Sequence, residues 1–369
     1  MLRHALLISG LAGLALAGCA GQRPSEPDQE TAAAAPPAPA PTPAPSLVVP
    51  VEYYKLGNGL RVVLSEDHSV PVATVAVYYN IGFRIEPRDR TGFAHLFEHM
   101  MFQGSKNLGK MEFVRLIQNN GGVLNGSTRF DFTNYFEVVP SNTLETMLWA
   151  EADRMGGLAI TQENLDNQNG VVQNEVKVNV LNRPYGGFPW LDVPQYANRN
   201  WYNAHNFYGD LHDLDAATLQ DVLAFHETYY GPNNAALVVA GDFDPAQVRA
   251  WIVKYFGPIV ARTLPAQPDI SEPTQTEERR ASKSDPLAPR PALAVAYHVP
   301  ERWTPEWLAF GIIDELLLQG PDSALTRKLV KERGYSDDVS GGINLLGNMR
   351  TLRVASSPSS MSSTTATST

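Results

Sequence analysis

His95, Glu98 and His99 stand inside an otherwise apolar run, GFAHLFEHMMFQGSKN, residues 92–107. Positions four apart on an α-helix share one face, so the two imidazoles can aim at one point. Neutral imidazole is a good ligand for Zn²⁺, which in catalytic sites takes three protein ligands and keeps a fourth position for water. Glu98 lies on the same side of the helix. It is crowded as a third ligand but well placed as the base that takes a proton from that water. His-x-x-Glu-His is the inverted form of the His-Glu-x-x-His zinc motif. The pentapeptide alone also fits a core helix with a hydrogen-bonded His–Glu pair, so it needs context.

That helix must be set into a larger frame. VEYYKLGNGLRVVLSED reads as two strands around Gly57-Asn58-Gly59, and VATVAVYYNIG as a third strand, apolar enough for the middle of a sheet. Phe93 to Phe102 reads as a buried helix, and Met111 to Asn119 as an amphipathic one stopped by Gly121-Gly122. VLNGSTRFDFTNYFEVVP alternates as one or two strands. Leu144 to Met155 and Leu165 to Leu181 are helical stretches. A further helix in DLDAATLQDVLAFHETYY is expected to open on Asp213 or Asp215, followed by the strand NAALVVAGDF and a helix from Pro245 to Tyr255. Asp153-Arg154 reads as a structural ion pair, and His205, His212, His226 and His298 as ordinary histidines without partners at ligand spacing. Strands and helices mix without regular βαβ alternation. The fold class expected is α+β, a mainly antiparallel sheet packed with helices.

Composition narrows the function. The 369 residues are 43% apolar and 18% charged, which describes a globular chain. A formal charge of −10 argues against a nucleic-acid partner, whose phosphates need a basic face. The single cysteine, Cys19, excludes an intramolecular disulfide and a thiolate cluster. It follows a short basic start and the apolar run Ala5 to Ala17, too short to span a membrane comfortably. Leu16-Ala17-Gly18-Cys19 resembles a bacterial lipobox, which implies cleavage before Cys19, a lipid anchor on its thiol, and a periplasm-facing place in the cell envelope, on the outer rather than the inner membrane.

The expected organisation is a signal peptide over 1–18, a Pro/Ala-rich tether over 19–47, and a complete domain over 48–265. A polar, Pro-rich linker over 266–291 leads to a partial second α+β domain of the same type over 292–355. A low-complexity tail follows over 356–369.

Several blocks in order, HLFEHMMFQG, GGVLNGSTRFDFTNYFEVVP, EADRM, DNQNGVVQNEV and TYYGPNNAALVVAGDFD, resemble the inverzincin peptidases, the pitrilysin/insulinase and mitochondrial-processing-peptidase family. The resemblance runs from about Val51 to Ile259 and more weakly to Val354. It implies a third zinc ligand from a glutamate far downstream, and Glu175, 76 residues after His99, is the matching position. Many relatives carry a supporting glutamate seven residues before that ligand. Gln168 stands there, able to accept a hydrogen bond but without charge. Asn125 and Gly126 match an edge strand on which a peptide substrate adds itself as an extra strand. The resemblance thus implies a zinc metalloendopeptidase with Glu98 as catalytic base. The Arg/Tyr pair that a partner half supplies in the family has no match here. A companion subunit completing a chamber, a shortened inactive form, and a non-catalytic peptide-binding or scaffold subunit are the alternatives this leaves.

Overall fold

The computed structural model describes residues 48–344 and 351–358. The signal peptide, Cys19, the tether and residues 359–369 lie outside the described residues.

In chain order the elements are β1 (Glu52–Lys55), β2 (Arg61–Glu66), β3 (Val72–Tyr79), α1 (Phe93–Met100), α2 (Glu112–Asn119), β4 (Val123–Thr128) and β5 (Thr133–Pro140). There follow α3 (Leu144–Gly156), α4 (Gln162–Val176), three short helices α5 (Asp192–Ala197), α6 (Trp201–Ala204) and α7 (Leu211–Asp215), then α8 (Leu219–Tyr229), β6 (Ala235–Gly241) and α9 (Pro245–Phe256). Last come β7 (Leu293–His298), α10 (Pro305–Leu317), β8 (Ser336–Ile343) and β9 (Thr351–Pro358).

Six strands form one sheet in the order β1-β2-β6-β3-β5-β4. All neighbours are antiparallel except β2 and β6. The α+β, antiparallel-dominated class expected from the sequence is the one observed. Burial with period two along the strands supplies the core face: Val62 and Leu64, Ala73, Val75 and Val77, Ala235, Leu237 and Val239. They join Leu96 and Phe97 of α1, Met147 and Leu148 of α3, and Ile252 and Phe256 of α9 in one cluster. The strand β4 is left at the sheet's edge, beside α1.

A three-stranded sheet, β7-β9-β8, packs with α10 around Val299, Trp307, Leu318, Val339 and Ile343. The strand β9 runs to Pro358, so the pairing continues three residues into the stretch expected to be a structureless tail. Residues 266–291 have no regular structure but are strapped to the stretch over residues 185–200. Glu272 accepts from the backbone of Arg199 and Asn200, Asp285 accepts from Tyr185 N at 2.9 Å, and Lys283 pairs with Asp192 at 2.8 Å.

Two local expectations are corrected. Thr218, not Asp213 or Asp215, opens α8, through a capping box with Asp221. Asp213 instead accepts from Thr91, and Asp215 from Gln173, because each has a partner on another element. Nor do Asp153 and Arg154 pair. Adjacent helical residues point apart, whereas Glu151 and Arg154, three apart, face each other and form a fully buried ion pair. The Arg154 guanidinium lies 3.9 Å from the Phe113 ring centroid and donates to Met101 O at 3.4 Å. Asp153 holds Ser105 and Asn107.

Candidate metal centre

The helix α1 is short, and both its ends are held by groups from elsewhere. Gly92 turns into it with φ of 87°, a left-handed conformation that glycine adopts without strain. The buried Glu86 carboxylate accepts from Gly92 N at 2.9 Å and from Ala94 N, doing the work of a cap at the positive end of the helix dipole. At the other end Tyr135 Oη donates to Phe97 O at 3.1 Å, beside the Arg154 contact to Met101 O. Phe93, Leu96, Phe97 and Met100 are fully buried, and only Glu98 and His99 are partly open.

Glu175 comes from α4. Thr161 caps that helix by accepting from Asn164 N, and Leu165, Gln168, Val172 and Val176 form its buried face against α1. Asn169 donates to Leu214 O at 2.7 Å, which ties α4 to α7. This packing sets Glu175 Oε1 at 3.6 Å from His95 Nε2 and Glu175 Oε2 at 3.4 Å from His99 Nε2. Two donors on a tetrahedral zinc at its usual bond lengths lie about 3.3 Å apart. One ligand atom from each of the three residues falls within 4.8 Å of the others. The set therefore fits a zinc ion in spacing and in chemistry, with two imidazoles and one carboxylate.

The protonation states fit as well. Burial holds His95 down to about 4, and His99 beside it acts in the same direction, so the imidazole stays neutral with its lone pair free. The hydrogen bond to His99 draws the Glu175 carboxyl below the usual range and keeps it ionised. Burial raises Glu98, opposed chiefly by Thr128, whose Oγ1 donates to Glu98 Oε2 at 2.6 Å.

Of the residues singled out from the sequence, His95, Glu98, His99, Glu175 and Gly126 converge. The face of β4 that carries Gly126 and Thr128 meets α1, and a Cβ at position 126 would sit 3.3 Å from Glu98 Cγ. Asn125 alternates to the opposite, exposed side of the edge strand. Gln168 is buried in α4, and its amide nitrogen donates to Asn167 Oδ1 at 2.8 Å. His95 Nδ1 is buried and has no hydrogen-bond partner among the described residues. Sequence reading missed Thr128, Glu86 and Tyr208. Two-residue spacing from Gly126 would have found Thr128. No local signal marks the other two.

A family model described as insulinase, peptidase family M16, matches residues 61–184, and one described as the peptidase M16 inactive domain matches residues 216–363. The chain is 30% identical to the zinc protease PqqE of Helicobacter pylori over 288 residues, 76% of this chain and 64% of that protein. It is 26% identical to the mitochondrial-processing peptidase subunit beta of Bos taurus over 236 residues, 63% of this chain and 47% of that one. It thus spans less than two thirds of either relative. Among solved structures, a protease from Helicobacter pylori superposes with a TM-score of 0.78 at 28% identity, over 84% of this chain and 75% of that one. The first half of the periplasmic protease PqqL from Escherichia coli shares the fold with a TM-score of 0.64 at 16% identity, over 84% of this chain and 68% of that one.

Proposed function

The chain belongs to the insulinase family of peptidases, M16, and from that premise we propose that it is a zinc-dependent endopeptidase acting on peptides or unfolded protein segments. The observation that carries this reading is the convergence of His95, His99 and Glu175 from two helices, with Glu98 beside them. His95, His99 and Glu175 would hold the ion, and zinc bound there would supply a Lewis acid for the scissile carbonyl and a lowered pKa for water. Glu98, oriented by Thr128, takes the proton of the attacking water and delivers it to the leaving amine. The free edge of β4 pairs with the substrate backbone, which gives affinity with little demand on sequence. Asn125 and Gly126 lie in that edge, and Gly126 keeps the space beside Glu98 open. Gln168 backs the ligand helix without a charge.

Cys19 anchors the protein through lipid on the periplasm-facing side of the cell envelope, at the outer membrane. A companion polypeptide completes the reaction chamber. The reading of a partner is favoured by Leu308, Ile312 and Leu316, one face of α10, which stand exposed together, as do Leu293, Val295 and Tyr297 on β7.

The test is the zinc content and peptide cleavage of the purified chain beside Glu98→Gln. Zinc in both, with cleavage lost in the variant, supports the peptidase. Zinc without cleavage in either would show that the chain alone does not turn over peptide and that the companion polypeptide is required to complete the chamber. Absence of zinc from the wild type would sink the site.

A further inference from the structure

A metal-binding histidine nearly always donates its second ring nitrogen to a carboxylate, carbonyl or water, and that bond fixes the ring's orientation. His95 does not have such a bond among the described residues, since Nδ1 is buried and unpartnered. What the described residues offer this ring is aromatic packing.

The Tyr208 ring stands edge-on to the His95 ring, centroids 5.1 Å apart at 81°, and Phe83 approaches the same imidazole at 6.4 Å. Tyr208 also directs its hydroxyl at the neighbouring ligand, donating to Glu175 Oε1 in a long hydrogen bond of 3.5 Å. One side chain therefore touches two of the three ligand residues, on two different helices. Its own place is well determined. Trp190 backs the ring at 5.3 Å, and Phe83 lies at 6.3 Å. The backbone of Tyr208 and Gly209 is pressed against the start of α1, so closely that a Cβ at Gly209 would lie 2.4 Å from Gly92 N. Asp210 N donates to Thr91 Oγ1, and Thr91 in turn donates to Asp213, which clasps the segment to that helix.

We propose that Tyr208 is the positioning residue of the metal centre, orienting His95 with its ring and Glu175 with its hydroxyl. This rests on the zinc reading above. The tyrosine acts on ligand geometry and takes no part in bond making.

The experiment measures zinc affinity by chelator competition and the visible spectrum of the cobalt-substituted protein, for wild type, Tyr208→Phe and Tyr208→Leu. Melting of the metal-free proteins is followed alongside. Tyr208→Phe keeps the ring and loses the hydroxyl, and is expected to weaken zinc binding by a few-fold. Tyr208→Leu loses both and is expected to weaken it by about 10- to 100-fold, the range usual for partners behind a ligand, with altered cobalt bands. Unchanged melting of metal-free Tyr208→Phe together with weaker zinc binding separates positioning from a merely structural role. Wild-type affinity and spectrum in both variants would overturn the proposal while leaving the zinc site standing. Failure of the wild type to bind zinc would instead overturn the reading beneath it. Should Tyr208→Leu not fold, Tyr208→Phe decides alone, and wild-type affinity there would overturn the role of the hydroxyl.

Discussion

Thr128 donates its hydroxyl to the Glu98 carboxylate at 2.6 Å, joining the edge strand β4 of the sheet to α1. A hydrogen bond to a charged group is worth about 1.5–3 kcal/mol. Thr128→Val keeps the shape and removes the donor. Turnover is expected to fall about 10- to 100-fold, with zinc content unchanged. Single-turnover cleavage with parallel zinc analysis measures this, and wild-type turnover in the variant would contradict it.

Gly126 faces the same carboxylate. An added Cβ would meet Glu98 Cγ at 3.3 Å and Tyr135 Cδ1 at 3.4 Å, tight but movable on the Glu98 side. Gly126→Val adds bulk that must push Glu98 aside. A displacement of about 1 Å at a reacting group costs on the order of 100-fold in rate, and that loss is expected with melting temperature and zinc content near wild type. Gly126→Ala is expected to lose less. Equal rates in all three proteins would remove Gly126 from the site.

Arg154 is buried with Glu151, and burial together with the neighbouring Glu151 keeps Glu137 protonated well above the ordinary carboxyl range. Removing the cation leaves a buried charge uncompensated and takes a partner from Met101 O at the end of α1. Arg154→Met is expected to destabilise the fold by about 3–5 kcal/mol. Adding Glu151→Leu should recover part of that loss. Urea unfolding of the single and double variants tests both statements, and a double variant as weak as the single would show that the ion pair is not the cause.

His226 is held down to about 4 by burial, with Arg262 acting in the same direction. Its ring is stacked with Tyr230, and its Nε2 has no partner among the described residues. The unfolded chain takes up this proton near 6.5, the folded chain only near 4. The stability due to the neutral ring is therefore complete above 6.5 and is lost as the pH falls towards 4. The loss reaches at most about 1.4 kcal/mol per pH unit. His226→Phe is expected to give a shallower decline over that window. Urea midpoints in the presence of chelator, at several pH values, compare the two proteins with the metal sites empty in both. Parallel curves would show that His226 does not control the acid limb.

Much of the fold was legible because its signals are local. A run apolar enough for the middle of a sheet marked Val72 to Tyr79, a second strand was read over Ala235 to Gly241, and both are central strands. Errors arose where a side chain had a choice of partner. Asp213 has the character of a helix cap, but the hydroxyl and N–H of Thr91 claim it. Asp153 and Arg154 are neighbours in sequence and point to different partners. The Ser-rich stretch after Ala355 looked too polar to fold, yet pairing with β8 carries it on to Pro358.

The sequence by itself determined that two imidazoles and a carboxylate share one helix face, because helical geometry relates residues three and four apart. The position of Glu175 followed from resemblance, not from any local rule, since 76 residues separate it from His99. Only the tertiary structure decided that Glu175 reaches both rings, that Thr128 orients Glu98, that Glu86 caps α1, and that Tyr208 lies against His95. Each of these is a contact between elements distant in the chain. Packing of one buried surface on another brings them together, and no spacing along the sequence records it.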